Sequence, residues 1–132
     1  MKKEFITYEQ ALALKELGFD EPCLKEFHNQ NLLNYSTGDE NTNSDLIELY
    51  GEQDVITAPL YQQAFRWLKE RYKLLGYIMW DGKSYYYQIQ SLESYENDVN
   101  QTQFNLDVEL TYEEAEQTCL DKLIEIIKNK QD

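Results

Sequence analysis

Cations are scarce in this chain. Twelve lysines and arginines stand against 25 aspartates and glutamates, with one histidine, for a formal net charge of −13. Holding a phosphate backbone by charge needs clustered lysine and arginine, so the overall balance argues against direct nucleic-acid binding. Cysteine is nearly missing too. Cys23 and Cys119 lack CxxC spacing, and a single histidine does not complete a zinc set of three or four ligands. No EF-hand loop occurs, and the five glycines are scattered rather than gathered into a phosphate loop. No metal and no other cofactor is expected. There is no apolar run of transmembrane length, and "MKKEFITYEQ" has lysines without an apolar segment behind them, unlike a secretory signal. Together with two cysteines that read as reduced and buried, these features predict a cytoplasmic protein without membrane contact.

A core is affordable in composition. Hydrophobic residues make up 42% of the 132 residues, and aromatics 14%, with 11 tyrosines. Tyrosine packs its ring while keeping its hydroxyl wet, which suits half-buried and interface positions. Charge is unevenly spread. Residues 1–57 hold 4 basic and 12 acidic side chains, residues 58–90 hold 5 and 2, and residues 91–132 hold 3 and 11. A basic middle is framed by two acidic arms, which neutralise it if they fold against it.

The pentapeptide "TYEQA" at 7–11 returns as "TYEEA" at 111–115. Similarity stops at five residues, so the repeat is two capping boxes rather than a duplicated module: Thr7 with Gln10, and Thr111 with Glu114. The first predicted helix carries Tyr8, Ala11, Leu12, Leu14 and Leu17 on one stripe and stops at Gly18, where Phe19 closes a Schellman ending on Leu14. "DEPCLKEFHN" (20–29) reads as a short helix with Pro22 in its first turn and Leu24 and Phe27 inward. The Asn-rich segment 34–44 reads as a flexible polar loop, and 45–56 fits a helical turn or a short strand equally.

A third helix is predicted over 57–75, capped by Thr57, with Leu60, Ala64, Phe65, Trp67, Leu68 and Tyr72 on its apolar face and Gln62, Arg66, Lys69 and Lys73 opposite. "GYIMWDGKSYYYQIQSL" (76–92) reads as a β-hairpin about a two-residue Asp81–Gly82 turn. That register puts Ile78 and Trp80 on the face of Tyr85, Tyr87 and Ile89, and Tyr77, Met79 and Tyr86 on the other. A three-residue loop would swap the first strand's faces, so only the Tyr85, Tyr87 and Ile89 grouping is independent of loop length. A polar connection over 93–103 and an alternating strand over 104–110 follow. The last helix starts at Thr111, with Ala115, Cys119, Leu120, Leu123, Ile124, Ile126 and Ile127 buried and Glu113, Glu114 and Glu116 solvated where the helix dipole favours them.

The expected architecture is one α+β domain over 1–132. A short, mostly antiparallel sheet, made of the hairpin and a third strand, packs under two long helices, with a helical N-terminal segment at the edge.

Candidate chemistry is thin. Cys23 and His28 are the one nucleophile–base combination, but five residues apart on a helix they sit well over 100° apart and do not face each other. The chain is read as not an enzyme. Binding is the better prospect. Its candidate residues are Tyr77 and Tyr86 of the aromatic hairpin and Arg66, Lys69 and Lys73 of the basic segment. Packing of the hairpin rings into the core is the favoured role, which leaves Tyr86 as an interface anchor.

The blocks "ITYEQALALKELGFDEPCL", "APLYQQAFRWLKERY" and "TYEEAEQTCLDKLIEII", with a tyrosine-rich hairpin between the last two, resemble a family of small uncharacterised proteins. That family is encoded by phages and mobile elements of gut Bacteroides-type bacteria. The resemblance covers the helices and hairpin and leaves out 34–56. It implies an accessory protein acting inside a bacterial host cell, without implying a mechanism. The function expected is therefore non-enzymatic: binding of a host or phage protein through an aromatic and acidic surface. The alternative is a nucleic-acid-associated module using the basic 58–90 segment and the tyrosine hairpin. It requires Arg66, Lys69 and Lys73 on one open surface beside exposed tyrosines.

Overall fold

Two units make up the chain, Met1–Tyr61 and Gln62–Asp132. The computed structural model describes residues 4–32, 40–51, 53–92, 101–103 and 110–131. The class is α+β, with four helices and two three-stranded antiparallel sheets among these residues.

In the first unit, helix α1 (Tyr8–Glu16) opens on the expected box: the Thr7 hydroxyl accepts from the Gln10 backbone N–H at 3.1 Å, and Gln10 Oε1 accepts from the Thr7 N–H at 3.0 Å. It closes as a Schellman motif. The Phe19 N–H reaches the Leu14 carbonyl at 2.9 Å, and Gly18 has the positive φ of 101° that the motif needs. The buried face is Gln10, Ala11, Ala13 and Leu14, whereas Leu12, expected inside, is exposed. Gln10 is inside because its amide oxygen also accepts from the buried Tyr61 hydroxyl at 3.0 Å.

The helix predicted over 20–29 is not formed. Its residues make strand β1 (Lys25–His28), which pairs with β2 (Asn31–Leu32) through a two-residue turn at Asn29 (φ 51°) and Gln30 (φ 71°). Leu24 is 53% exposed rather than inward, while Phe27 is buried as expected. On its other side β1 pairs with β3 (Val55–Ala58), which is buried along its whole length. Segment 45–56 thus contains both alternatives: α2 (Asn43–Tyr50) and the start of β3. The polar stretch 34–44 ends in order, since Thr42 caps α2 in a capping box with Asp45; residues 34–39 lie outside the described residues.

Thr57, expected as a helix cap, sits inside β3, and α3 (Tyr61–Tyr72) begins four residues later. The reason is Pro59, whose ring pushes the preceding Ala58 into extended backbone. Ala64, Trp67 and Leu68 of α3 are buried, and Leu60 is exposed ahead of it. The helix ends where Lys73 turns into left-handed backbone at φ 59°.

The second unit is built on β4 (Leu74–Trp80), β5 (Tyr85–Ser91) and β6 (Gln101–Gln103), in the order β4-β5-β6. The connection predicted over 93–103 therefore ends in a strand. The strand predicted over 104–110 lies outside the described residues except Leu110, which bridges Tyr85. Trp80 pairs with Tyr85, so the loop is Asp81–Ser84 rather than Asp81–Gly82 alone. Lengthening a loop by an even number preserves parity. Ile78 and Trp80 accordingly share a face with Tyr85, Tyr87 and Ile89, as expected.

Helix α4 (Tyr112–Gln131) starts on the second box, with the Thr111 N–H donating to Glu114 Oε1 at 2.9 Å and the Glu114 N–H donating to the Thr111 hydroxyl at 3.1 Å. Ala115, Cys119, Leu120, Leu123, Ile124 and Ile127 are buried, and the helix contacts β4 and β5. Gly76 sets how close the helix comes. A Cβ there would lie 2.8 Å from Leu123 Cδ1 and 2.9 Å from Cys119 Sγ.

Candidate binding cleft

Gln62, Phe65, Arg66 and Lys69 recur at helical spacing and fall on one side of α3. That side forms one wall of a cleft of about 390 Å³ in the second unit. The second wall is Tyr112 and Glu116, one turn apart on α4, and the floor is Leu75, Gly76, Tyr77 and Ile78 of β4. A volume of this size lies in the range of pockets that hold small ligands or a few side chains.

Three of the five residues singled out from sequence meet here: Arg66, Lys69 and Tyr77. The other two do not line the cleft. Lys73 is exposed beyond the end of α3, and Tyr86 is half-buried, paired with Met79 on the hairpin. Arg66 and Lys69 are exposed, and Tyr77 is half-buried.

Two features of the cleft escaped the sequence reading. The first is aromatic. Trp80 stacks obliquely on Tyr85 at 4.8 Å between centroids, and Tyr85 meets Tyr112 edge-on at 5.4 Å. A run of rings thus leads from the hairpin tip to the cleft wall, and its exposed members are Trp80 and Tyr112 rather than Tyr86. The second is Glu116. Read as a solvated, dipole-matching residue, it is 8% exposed. Burial, and then the neighbouring Glu113 carboxylate, push its carboxyl up to about 7. Among the described residues no cation or hydrogen-bond donor is placed on it. Its signal was weak in sequence, since Glu116 looks like its exposed neighbours until the hairpin is packed against α4.

Reactive groups elsewhere are muted. Burial, and then Glu116, push the Cys119 thiol up to about 12, far from a thiolate at neutral pH. The Cys23 thiol donates to the Glu21 carbonyl at 3.5 Å. His28 shares a 2.8 Å hydrogen bond with Glu26 and meets the Tyr50 ring edge-on. His28 ends strand β1 and Cys23 lies ahead of it in a bridge to Asn41, and each side chain is engaged by neighbours other than the other. Among the described residues no group of three or more histidine, cysteine or carboxylate side chains is arranged to hold a metal. Nor is any described helix long and apolar enough to cross a membrane. No known family model, characterised protein or solved structure matches the chain.

Proposed function

We propose that the protein is a non-enzymatic accessory protein of phage or mobile-element origin, acting in the cytoplasm of a bacterial host by binding a host or phage protein. The origin and address rest on the resemblance of its helical blocks and tyrosine hairpin. The binding role rests on one observation: Arg66 and Lys69 lie one turn apart in the same cleft as Phe65, Tyr77 and Tyr112. Arginine and tyrosine are among the side chains that most often anchor protein interfaces.

The same juxtaposition favours a second reading, binding of a single nucleic-acid strand by stacking on Tyr77 and Tyr112. Glu116 weighs against it. A buried carboxyl in the cleft, with Glu113 beside it, is the wrong charge for a run of phosphates. A protein segment meets a mixed wall more readily, because its charges alternate with apolar groups.

Affinity capture from host lysate tests the choice, at low and high salt and with and without nuclease. The expected result is a discrete protein, indifferent to nuclease, weakened by salt, and lost when Arg66→Glu and Lys69→Glu are combined. A nuclease-sensitive smear would support the second reading and overturn the first.

A further inference from the structure

One carboxyl sets the chemistry of the cleft. Glu116 lies one turn beyond Tyr112 on α4, lines the cleft and is only 8% exposed. Among the described residues nothing donates to it. The charged and titratable groups around it are Glu113, Tyr112 and Cys119 on its own helix, Arg66 and Lys69 on α3, Tyr77 on β4, and Tyr85 on β5 beside Tyr112. Arg66 already has a partner, and Lys69 is exposed. Neither cation pulls the Glu116 carboxyl down; burial and then Glu113 raise it, to about 7. The α3 wall therefore does not serve this group.

A desolvated carboxylate is costly until a cation or a set of donors reaches it. The surrounding side chains say which kind fits. Phe65, Tyr77 and Tyr112 line the same cleft, so whatever reaches Glu116 is flanked by rings. An ammonium is a compact, strongly hydrated charge that gives up water reluctantly. A guanidinium is planar and more weakly hydrated, packs on aromatic rings, and forks onto both oxygens of a carboxylate. An acidic occupant is repelled by Glu116 and Glu113. Lys69 opposes a cation, but from solvent, where screening weakens its charge. We propose that the cleft takes an arginine side chain of the protein partner, its guanidinium forked on the Glu116 carboxylate among the rings of Phe65, Tyr77 and Tyr112. The proposal rests on the cleft being the protein-binding site and adds which side chain enters it.

A proton link follows. The guanidinium holds the carboxylate form, so binding releases to the buffer the proton that Glu116 keeps near neutral pH. With a carboxyl titrating at about 7, the ionised fraction rises from about one tenth at pH 6 to about nine tenths at pH 8. Affinity should rise with it, about tenfold.

The probe is the blocked tripeptide acetyl-Gly-Arg-Gly-amide, titrated into the full chain and followed by NMR at the Glu116 carboxyl carbon and the Gly76 amide. Binding should have a Kd on the order of a millimolar at pH 8 and be about tenfold weaker at pH 6. The citrulline peptide, a neutral isostere, should bind about tenfold more weakly than the arginine peptide at pH 8, and the glutamate peptide not at all. Glu116→Gln should lose about tenfold in affinity at pH 8, and the pH dependence with it. That variant removes a desolvated charge, so its fold is kept. Equal binding of the citrulline and arginine peptides overturns the proposal, as does a pH dependence that survives Glu116→Gln. Tighter binding of the matching lysine peptide overturns the guanidinium, and no shift with any peptide overturns the site. Lysate capture separates this from the wider reading. A partner lost with the paired α3 substitutions but retained by Glu116→Gln overturns the arginine and leaves the cleft as the binding site.

Discussion

Each unit owes its internal fit to a different kind of contact. The first has short elements, with α1 of nine residues, α2 of eight, β1 and β3 of four and β2 of two. Its apolar core is as well populated as that of the second unit, and buried polar side chains add directed contacts between the short pieces. Among the described residues four of the five buried polar side chains, Gln10, Glu26, Asn43 and Thr57, belong to this unit, and the first three are hydrogen-bonded while the Thr57 hydroxyl is not. Asn43 is the clearest case: its amide donates to the Phe19 carbonyl at 2.9 Å and accepts from the Thr57 N–H at 2.9 Å, tying the end of α1 to β3. The second unit has a twenty-residue helix on seven-residue strands, and its fit is steric, set by Gly76 beneath Leu123 and Cys119. Short elements gain their specificity from directed hydrogen bonds, and long ones from shape.

The largest effect expected is at Asn43. Asn43→Ala strands a buried carbonyl and a buried N–H, which should cost about 3 kcal/mol in urea unfolding. A loss under roughly 0.5 kcal/mol, the scale of a surface substitution, would break the comparison from the polar side. Gly76→Ala should come next, at about 2 kcal/mol of overpacking, and Leu123→Val in the same chain should recover part of it. Failure of that rescue would mean that backbone geometry, rather than side-chain contact, limits Gly76.

Glu116 should give an effect no larger than that of Gly76→Ala, with a size that depends on pH. Its folded-state carboxyl titrates near 7, above the ordinary 4.5. The folded protein therefore keeps a proton that the unfolded chain releases. This contribution to stability is complete below about 4.5 and is lost as pH rises through about 7. Glu116→Gln, which does not titrate, should thus gain on the parent between pH 5 and pH 8, by on the order of 2 kcal/mol. An unchanged difference would place the carboxyl in better solvation than its burial indicates.

Local signals were legible where the residues concerned act on their own neighbours. Both capping boxes, the Gly18 ending and the buried apolar positions of α4 follow from sequence because each involves residues within a turn or two. The readings that failed are those in which a distant partner decided. Segment 20–29 looks helical until β3 is found beside it, with Glu26 paired to Thr57 and Phe27 to Ile56. Thr57 looks like a cap until Asn43 holds its N–H. In both places a local clue was present and outweighed: asparagine at position 29 suits the left-handed turn after β1, and Pro59 favours an extended Ala58. Half the site was legible on the same grounds. Arg66 and Lys69 follow from helix period, and Tyr77 from the hairpin, whereas Tyr112 and Glu116 join them only through tertiary packing.

The hairpin tip is an interchangeable part. Trp80 and Tyr85 pair directly and their rings touch, so the ladder closes before the loop begins. The loop is pinned by its own first residue, with Asp81 Oδ1 accepting from the Lys83 and Ser84 backbone N–H groups at 2.8 and 2.9 Å. Any connector of even length between Trp80 and Tyr85 leaves the same rings facing the helix. A lineage is free to exchange these four residues for another connector of even length, and so to change what the hairpin tip presents, while every residue beneath it keeps its place.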